Sequence, residues 1–428
     1  MAKRTSSRMT TKRGRATSKR ATSKRAAPKT VSKTAAKTSK PAAAKRAAAK
    51  KSTKRVARKV ETPVVETAAG TAGYEGPPRV RIPLQDPHPS RAKRAQRAKE
   101  THPHFGLPNE ALVELWYLMV LSRRIADRWF TLNRQGRAPF VITGQGQEAA
   151  QVGTAAALIP GKDWVFPYYR DIGVVMTLGM TVDELMLNVF AKAADPNSGG
   201  RQMPTHWSSR ELRIPTQSST VTTQIPVAAG VAWAAKLRGE DSVTVAYLGE
   251  GSTSQGDFHE GLNFAAVHKL PLVVVVENNG YALTSVQEKE MAVTDVAERA
   301  AAYGIRGIVV DGNDVLLVYR NMQLAVHEAR RGNGPMLVEA KTYRTVPHSS
   351  DDDDRRYRPR EELEMWLRRD PIDRFREHLM KDGVLSNDHA DQLIREADEE
   401  VRHAEERAEA AADPDPATLL DHVFGGGA

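Results

Sequence analysis

The sequence contains no cysteine, and its first 60 residues contain no aspartate or glutamate. The absence of cysteine excludes disulfide bonds, thiolate catalysis and cysteine zinc sites, and it is compatible with a cytosolic protein. There is no secretory apolar core and no apolar run long enough to span a bilayer; residues 270–276 form one of the longest apolar stretches. We therefore expect a protein of the cytoplasm that has no membrane segment.

The formal net charge of +11 comes from the N-terminal segment. Of the 63 lysine and arginine residues, 22 lie in residues 1–60, which leaves 41 basic and 52 acidic residues, a formal charge of −11, for the rest of the chain. The segment has almost no leucine, isoleucine or phenylalanine, so it cannot bury enough apolar surface to offset the entropy of ordering. We predict a disordered basic tail over residues 1–75 and a linker or arm over residues 76–106.

Several functions are open for this tail. It resembles the lysine- and alanine-rich tails of linker histones and of some bacterial nucleoid proteins, which predicts salt-dependent contact with nucleic acid phosphates. A solvated spacer and a tether to an acidic partner subunit are equally compatible with the composition. A mitochondrial transit peptide fits less well, because such peptides favour arginine and need an apolar helical face. The expected location is a bacterial cytoplasm rather than a mitochondrial matrix.

After the linker, short apolar runs alternate with segments of helical spacing. A helix is predicted from Asn109 to about Arg134. Valine-rich runs at 243–248 and 271–276 predict two buried parallel strands joined by a crossover helix. Further strand and helix patterns follow, and the chain is helical from about residue 360. For residues 107–428 we predict an α/β domain with a doubly wound, mostly parallel sheet and helical C-terminal additions.

Polar residues follow both valine-rich strands. The first strand runs into Gly249, Glu250 and Gly251, and the second runs into Asn278 and Asn279. Ligands of parallel sheets bind outside the carboxyl ends of the strands, so these groups are expected to face one crevice. A carboxylate, an amide oxygen and backbone carbonyls suit a magnesium ion shared with a phosphate. A glycine turn after a strand often only packs a helix against the sheet, so this turn alone does not establish a phosphate site.

The complete pattern resembles the thiamine diphosphate and magnesium motif, in which Gly-Asp-Gly is followed by a distal Asn-Asn. Glu250 replaces the usual aspartate, as it also does in branched-chain members of the family. The resemblance implies that Glu250 and Asn279 are side-chain ligands of Mg²⁺ and that Tyr281 supplies a backbone carbonyl. It also implies that Gly249 and Gly251 lie against the cofactor.

Tyr169 and Arg170 follow a short predicted strand at residues 164–166. An arginine at this place can form a forked, charge-assisted pair with a diphosphate. The tetrapeptide alone fits an ordinary surface ion pair between Arg170 and Asp171 better. The segment FPYYRDIGV, however, resembles the tyrosine-arginine pair that contacts the diphosphate in decarboxylating 2-oxo acid dehydrogenases. The resemblance implies a diphosphate contact for both residues.

A run of hydroxyl and amide side chains at residues 217–224 precedes a helix rich in glycine and alanine. Such runs are normally helix caps. Together with the segment GRQMP and His206, the run resembles a loop of the branched-chain alpha chain that holds a potassium ion and contacts the cofactor. Thr220 stands where that family often has proline. The implied potassium ligands are Ser218, Thr223 and Gln224, and the implied thiamine contacts are Ser219 and the backbone of Val221.

His348 lies between the end of a predicted strand and a loop dense in charge. A single histidine in such a place is most simply a solvated loop residue. The segment PHSSDDDDRRYRP resembles the mobile loop of the same alpha chains, which implies that His348 lies beside the thiazolium and acts in acyl transfer to lipoate. Ser349 occupies the position phosphorylated in mitochondrial relatives, and Arg344 and Asp352 are expected to order the loop. Repulsion among the aspartates 351–354 predicts a loop that is mobile until basic groups or cofactor order it.

Four motifs in the expected order make residues 109–424 similar to the alpha chain of a thiamine diphosphate-dependent 2-oxo acid dehydrogenase, most like the branched-chain type. The resemblance implies thiamine diphosphate, Mg²⁺ and K⁺ as cofactors, decarboxylation of a 2-oxo acid, and acyl transfer to a lipoyl-bearing acyltransferase. In this family a beta chain supplies the glutamate that activates the cofactor, so we expect an α2β2 heterotetramer and an inactive isolated chain. A pyruvate dehydrogenase alpha subunit and a nucleoid protein remain as alternatives.

One position departs from several relatives. They place arginine before the Asn-Asn pair to reach the diphosphate, whereas this chain has Glu277. A second acid near a dianion is unfavourable unless it points away or pairs with a basic group. The diphosphate is therefore expected to depend on Arg170, His348 and helix termini.

Overall fold

The computed structural model describes residues 66–67, 105–421 and 423. The predicted tail and linker lie outside this part of the chain except for residues 66–67 and 105–106. Residues 66–67, within the predicted tail, form a short strand. The arm predicted within residues 76–106 lies outside the described residues, apart from its last two.

A parallel sheet of six strands forms the centre of the described chain, in the order β1-β7-β8-β4-β3-β2. All five pairings are parallel, which confirms the predicted α/β class. Strands β5 and β6 form a separate antiparallel hairpin. In chain order the strands are β1 (Glu66–Thr67), β2 (Trp164–Phe166), β3 (Thr244–Gly249), β4 (Leu272–Asn278), β5 (Tyr281–Ala282), β6 (Ser285–Val286), β7 (Arg306–Asp311) and β8 (Met336–Lys341).

The helices surround this sheet, and the C-terminal ones begin where the sequence predicts them. None of the helices in the described ranges is long and apolar enough to cross a membrane. In chain order they are α1 (Asn109–Arg134), α2 (Glu148–Ala155), α3 (Ile172–Leu178), α4 (Val182–Val189), α5 (Gln224–Arg238), α6 (Gly256–Val267), α7 (Gln287–Glu290), α8 (Ala300–Tyr303), α9 (Val315–Arg330), α10 (Arg360–Leu367), α11 (Pro371–Lys381) and α12 (Asn387–Ala410).

Both faces of the sheet are covered, which explains the unbroken valine run of β4. Val273 and Val275 face a large core with α1, α2, α3 and α9, whereas Val274 and Val276 face a smaller core with α5 and α6. Because successive side chains of a strand point to opposite faces, a strand covered on both faces is apolar throughout. The doubly wound arrangement predicted from the sequence is therefore confirmed.

Helix α1 is the central support of the larger layer. It is buried on every side over its first three turns, as expected for a helix without a polar face. Its N-cap is Pro108 and Asn109 is its first helical residue, as the sequence predicts. The Nε1 of Trp116 donates to the carbonyl oxygen of Ile372 at 3.1 Å, which joins α1 to α11.

The register of the strands brings several chain segments to one edge. Gly249 pairs with Glu277, and Asn278 pairs with Lys341. The carboxyl ends of β3, β4 and β8 therefore lie together, and the segments that leave these strands begin side by side. This edge carries most of the residues that the sequence singles out.

Candidate active site

Glu250 occupies the carboxyl end of β3, at the start of a short 3-10 helix. It is 1% exposed, and its Oε2 accepts the backbone N–H of Asn279 at 3.1 Å. Its Oε1 is buried and has no hydrogen-bond partner among the described residues. Burial raises the pKa of Glu250, against the opposing effects of backbone hydrogen bonds and of two nearby arginines. A buried carboxylate oxygen without a donor is suited to a cation.

The two asparagines at the end of β4 have different roles. Asn278 donates from Nδ2 to Glu339 and to Gln287, so it is a structural residue. Asn279 is buried beside Glu250, and its Oδ1 accepts the backbone N–H of Tyr281 at 3.3 Å. The described residues contain no cluster of three or more histidines and acids suited to a metal, so a cation here would depend on the single carboxylate of Glu250.

Gly251 is confined by the hairpin, whereas Gly249 is not. A Cβ on Gly251 would lie 2.4 Å from the Cβ of Ala282, and a Cβ on Gly249 would have no neighbour within 4 Å. The predicted close approach of both glycines to a cofactor stays a prediction. The contact of Gly251 with Ala282 fixes the distance between the β3 turn and the β5–β6 hairpin.

The substitution Gly251→Ala is expected to lower the free energy of unfolding by about 1–3 kcal/mol, because the added methyl group overpacks a filled space. The double substitution with Ala282→Gly should recover most of this loss. Chemical denaturation measures both, and Gly249→Ala is the matched control with little expected change. Equal losses for Gly249→Ala and Gly251→Ala would contradict the steric explanation.

Arg170 is a buried residue and not part of a surface ion pair. Its Nη1 donates to the carbonyl oxygen of Thr143 at 2.7 Å, and its Nη2 donates to the carbonyl oxygen of His348 at 3.0 Å. The guanidinium lies over the ring of Tyr169, with 5.2 Å between its Cζ and the ring centroid. The surface pair with Asp171 that the tetrapeptide favours is thus not formed.

His348 is held in place by Arg170 and by its own loop. The Nδ1 of His348 lies 3.0 Å from Arg170 Nη2, and its backbone N–H donates to Asp352 at 2.8 Å. Burial and the charges of Arg170 and Arg344 lower the pKa of His348 to about 3. The imidazole is therefore neutral at physiological pH.

Basic, acidic and phenolic side chains hold the loop after His348 in place, and Arg344 and Asp352 are among them, as the sequence predicts. Arg344 and Asp352 both hydrogen-bond to the hydroxyl of Tyr357, and Arg358 pairs with Asp354. Charge neutralisation thus opposes the repulsion among the four aspartates. Ser349 is 8% exposed in this arrangement, so a modifying enzyme could reach it only after the loop opens.

Glu277 points away from the crevice, into a buried polar cluster. Its Oε2 accepts from Gln147 Nε2 at 2.9 Å and from Gln151 Nε2 at 3.1 Å. Burial and the nearby charge of Glu277 raise the pKa of Asp171. Burial raises the pKa of Glu277 to about 7. The hydrogen-bond partners of Glu277 are therefore amides and not a basic group.

The run of hydroxyl and amide side chains at residues 217–224, here called the hydroxyl loop, does not bring all three predicted potassium ligands together. Ser218 and Gln224 line a small cavity of about 20 Å³, which has room for roughly one water molecule or ion. The Thr223 hydroxyl instead donates to the Thr220 carbonyl oxygen at 3.0 Å, and Thr223 does not line this cavity. Thr222, the residue before Thr223, has a φ of 79°, which is a strained value for a β-branched residue.

A cavity of about 530 Å³ opens at this edge of the sheet, a size typical of cofactor pockets. Five predicted site residues line it, namely Tyr169, Ser219, Val221, Gly251 and His348. The other predicted site residues do not line it. Four of them are buried, namely Arg170, Glu250, Asn279 and Tyr281, and Gly249 is half-buried. The remaining three belong to the hydroxyl loop, namely Ser218, Thr223 and Gln224.

Sequence reasoning missed several members of the site. His206 lines the cavity, yet the motif that contains it gave it no role. Gln147 and Gln151 had one usable signal, since two glutamines four residues apart within an alanine-rich segment lie on the same face of a helix. The apolar wall of the cavity includes Phe140, Ile142 and Met203, and no sequence pattern marked these residues as part of the site.

Comparison with known proteins identifies the family of this chain. A family model described as Dehydrogenase E1 component matches residues 117–417. The 2-oxoisovalerate dehydrogenase subunit alpha of Bacillus subtilis is 48% identical over 323 residues, which cover 76% of this chain and 98% of that protein. The 3-methyl-2-oxobutanoate dehydrogenase subunit alpha of Mycobacterium tuberculosis is 40% identical over 321 residues, or 75% of this chain and 83% of that protein. The mitochondrial 2-oxoisovalerate dehydrogenase subunit alpha of Mus musculus is 36% identical over 323 residues, which cover 75% of this chain and 72% of that protein.

Proposed function

The chain belongs to the family of dehydrogenase E1 components, and we propose that it is the alpha subunit of an enzyme that oxidatively decarboxylates branched 2-oxo acids. The observation that carries this proposal is its similarity to nearly the whole of the Bacillus subtilis subunit, whose name gives 2-oxoisovalerate as the substrate. The similarity favours a branched acid over pyruvate. Thiamine diphosphate is the cofactor that this family uses.

We propose that Mg²⁺ is held by the side chains of Glu250 and Asn279 and by the backbone carbonyl of Tyr281. The support is the buried, unpartnered Oε1 of Glu250, together with its position at the carboxyl edge of the sheet. Arg344 and Arg170 are both close enough to oppose the raised pKa of Glu250, and of the two we assign Arg170 to the diphosphate. We assign Gly249 and Gly251 to the cofactor as well, since Gly249 has open space beside its backbone and Gly251 lines the cavity.

When bound, thiamine diphosphate supplies the electron sink that decarboxylation of a 2-oxo acid requires. The chain contributes orientation and electrostatics. His348 presents a neutral imidazole to the pocket and is held by Arg170, and Ser219 and Val221 line the same cavity. For K⁺ we propose Ser218 and Gln224, which share the small cavity, with Thr223 as a third ligand if its hydroxyl turns.

We also propose a beta subunit as partner in an α2β2 assembly, which acts with a lipoyl-bearing acyltransferase. Exposed apolar side chains on α5 and α6 support a protein contact there, because soluble chains seldom leave such groups clustered in water. The ring centroids of Trp233 and Phe264 are 5.3 Å apart. One helical turn further along the same helices, Leu237 on α5 and Val267 on α6 are also exposed. A bacterial cytoplasm remains the predicted location.

The proposal is tested by producing the chain together with a beta subunit and measuring decarboxylation of branched 2-oxo acids and of pyruvate. We expect magnesium-dependent turnover of the branched acids, at a higher kcat/KM than for pyruvate, and no turnover by the isolated chain. Preference for pyruvate would overturn the substrate assignment. An intact assembly that does not bind thiamine diphosphate would overturn the cofactor assignment.

A second function, nucleic acid binding, is favoured by the composition of residues 1–60. Its 22 basic and no acidic residues predict binding that weakens steeply with salt. Deleting these residues is expected to abolish retardation of DNA at low salt and to leave turnover unchanged. Equal retardation by the truncated protein would remove this proposal.

A further inference from the structure

Two histidines line the large cavity, and different kinds of partner hold their Nδ1 atoms. The Nδ1 of His206 lies 3.1 Å from the carbonyl oxygen of Met203 and 3.2 Å from that of Pro204. The Nδ1 of His348 lies 3.0 Å from Arg170 Nη2. A carbonyl oxygen only accepts hydrogen bonds and a guanidinium only donates them. The two rings must therefore carry their protons on different nitrogens.

His206 carries its proton on Nδ1, where both neighbours are acceptors. In the neutral ring Nε2 then has a lone pair, and Nε2 lies 2.6 Å from the Ser219 hydroxyl oxygen. Ser219 must donate its proton across this contact. Its oxygen has no other hydrogen-bond partner in the described part of the chain, so it turns only lone pairs towards the cavity.

His348 has the opposite arrangement. Arg170 donates to Nδ1, and Arg344 Nη1 approaches the same atom at 3.4 Å. The proton of the neutral ring is therefore on Nε2, and no residue within the described ranges accepts a hydrogen bond from that atom. His348 thus offers an N–H donor to whatever occupies the cavity.

We propose that His206 is a positioning residue that holds Ser219 as a hydrogen-bond acceptor, so that the pocket presents an acceptor at Ser219 and a donor at His348. A bound group then needs an N–H or O–H directed at Ser219 and an oxygen or nitrogen lone pair directed at His348. An amino group on a heteroaromatic ring fits the first position, and a 2-oxo acid oxygen fits the second. Only this choice of ligands rests on the proposed function, since the polarity of the two sites belongs to the chain.

His206 is well suited to this task because its backbone partners cannot exchange roles. It is 8% exposed, and both of its Nδ1 contacts lie within three residues of it in the chain. Rotating the Ser219 proton towards the cavity would leave Nε2 without a donor, which is costly for a buried polar atom. The hydroxyl is therefore held in one orientation before any ligand binds.

The protonation states can be tested without any ligand. Solid-state NMR of the sedimented assembly with the beta subunit, containing ¹⁵N-labelled histidine, distinguishes the two neutral tautomers and the charged ring. Spectra of His206→Asn and His348→Asn identify the two signals. We expect the Nδ1–H tautomer for His206 and the Nε2–H tautomer for His348 at neutral pH. An Nε2–H or doubly protonated His206 would overturn the proposal.

Binding of thiamine diphosphate with Mg²⁺ to the same assembly tests the consequence for the ligand. By calorimetry, His206→Phe is expected to weaken binding about three- to tenfold, the loss of one neutral hydrogen bond. Ser219→Ala should weaken it to a similar extent, and the double variant should bind no worse than either, because the residues act as a unit. His206→Gln, which keeps an acceptor, should remain within about twofold of wild type.

His259→Phe is the matched control, because His259 is exposed, its Nδ1 contacts the Tyr303 hydroxyl, and neither residue lines the cavity. Additive losses in the double variant, or unchanged binding by His206→Phe, would overturn the positioning role. Failure of the wild-type assembly to bind the cofactor, with the expected tautomers present, would count against the proposed function and not against this inference.

Discussion

Replacing Glu250 with glutamine is expected to abolish magnesium-dependent binding of thiamine diphosphate, with a loss of affinity of at least about 100-fold. Substituting residues that only support a metal ligand already costs roughly 10- to 100-fold, so losing the single carboxylate of the site should cost more. Glutamine keeps the size of the side chain and leaves no cavity. Titration calorimetry of the assembly with its beta subunit measures the effect.

The same substitution should not destabilise the fold. Burial raises the pKa of Glu250, so the charged form is disfavoured in the folded chain without a cation, and a neutral amide removes that penalty. We expect an unchanged or higher free energy of unfolding together with lost binding. Glu288→Gln removes an exposed charge on α7 and is the matched control. Normal cofactor affinity in Glu250→Gln would eliminate the magnesium assignment.

Replacing Arg170 with methionine is expected to weaken diphosphate binding by about 100-fold or more, because each hydrogen bond to a charged group contributes roughly 1.5–3 kcal/mol. The same change frees His348, whose Nδ1 and carbonyl oxygen both accept from Arg170. Lysine should not restore function, since its point charge cannot reach Thr143 and His348 at once as the forked guanidinium does. Cofactor affinity and kcat are the measurements.

Arg170→Met should also change the titration of His348. The positive charge of Arg170 is one cause of its low pKa, so removing the charge is expected to raise that pKa from about 3. NMR titration of the histidine signal would follow the shift. Arg213→Met is the matched control, because Arg213 also lies over an aromatic ring, that of Trp164, and donates to a backbone carbonyl, yet that carbonyl belongs to Lys162 and not to His348. An unchanged His348 titration would contradict the contact between the two residues.

The local elements of this protein follow from its sequence. The limits of α1 at Asn109 and Arg134 and the strand at Trp164–Phe166 agree with the predicted ones, because apolar spacing reports which face of an element is buried. The spacing between Glu250 and Asn279 equals one crossover, which places both at the same edge of a parallel sheet. The basic tail and its excess charge are likewise properties of composition.

The tertiary structure alone decided which distant side chains meet. Arg170 and His348 are 178 residues apart, and nothing in the spacing of either motif fixes their contact. The direction of Glu277 towards Gln147, Gln151 and Asp171, and the pairing of His206 with Ser219, are similarly invisible in the sequence. The physical reason is that a buried polar atom takes whichever partner packing brings within reach, whereas periodicity specifies only the face on which the atom lies.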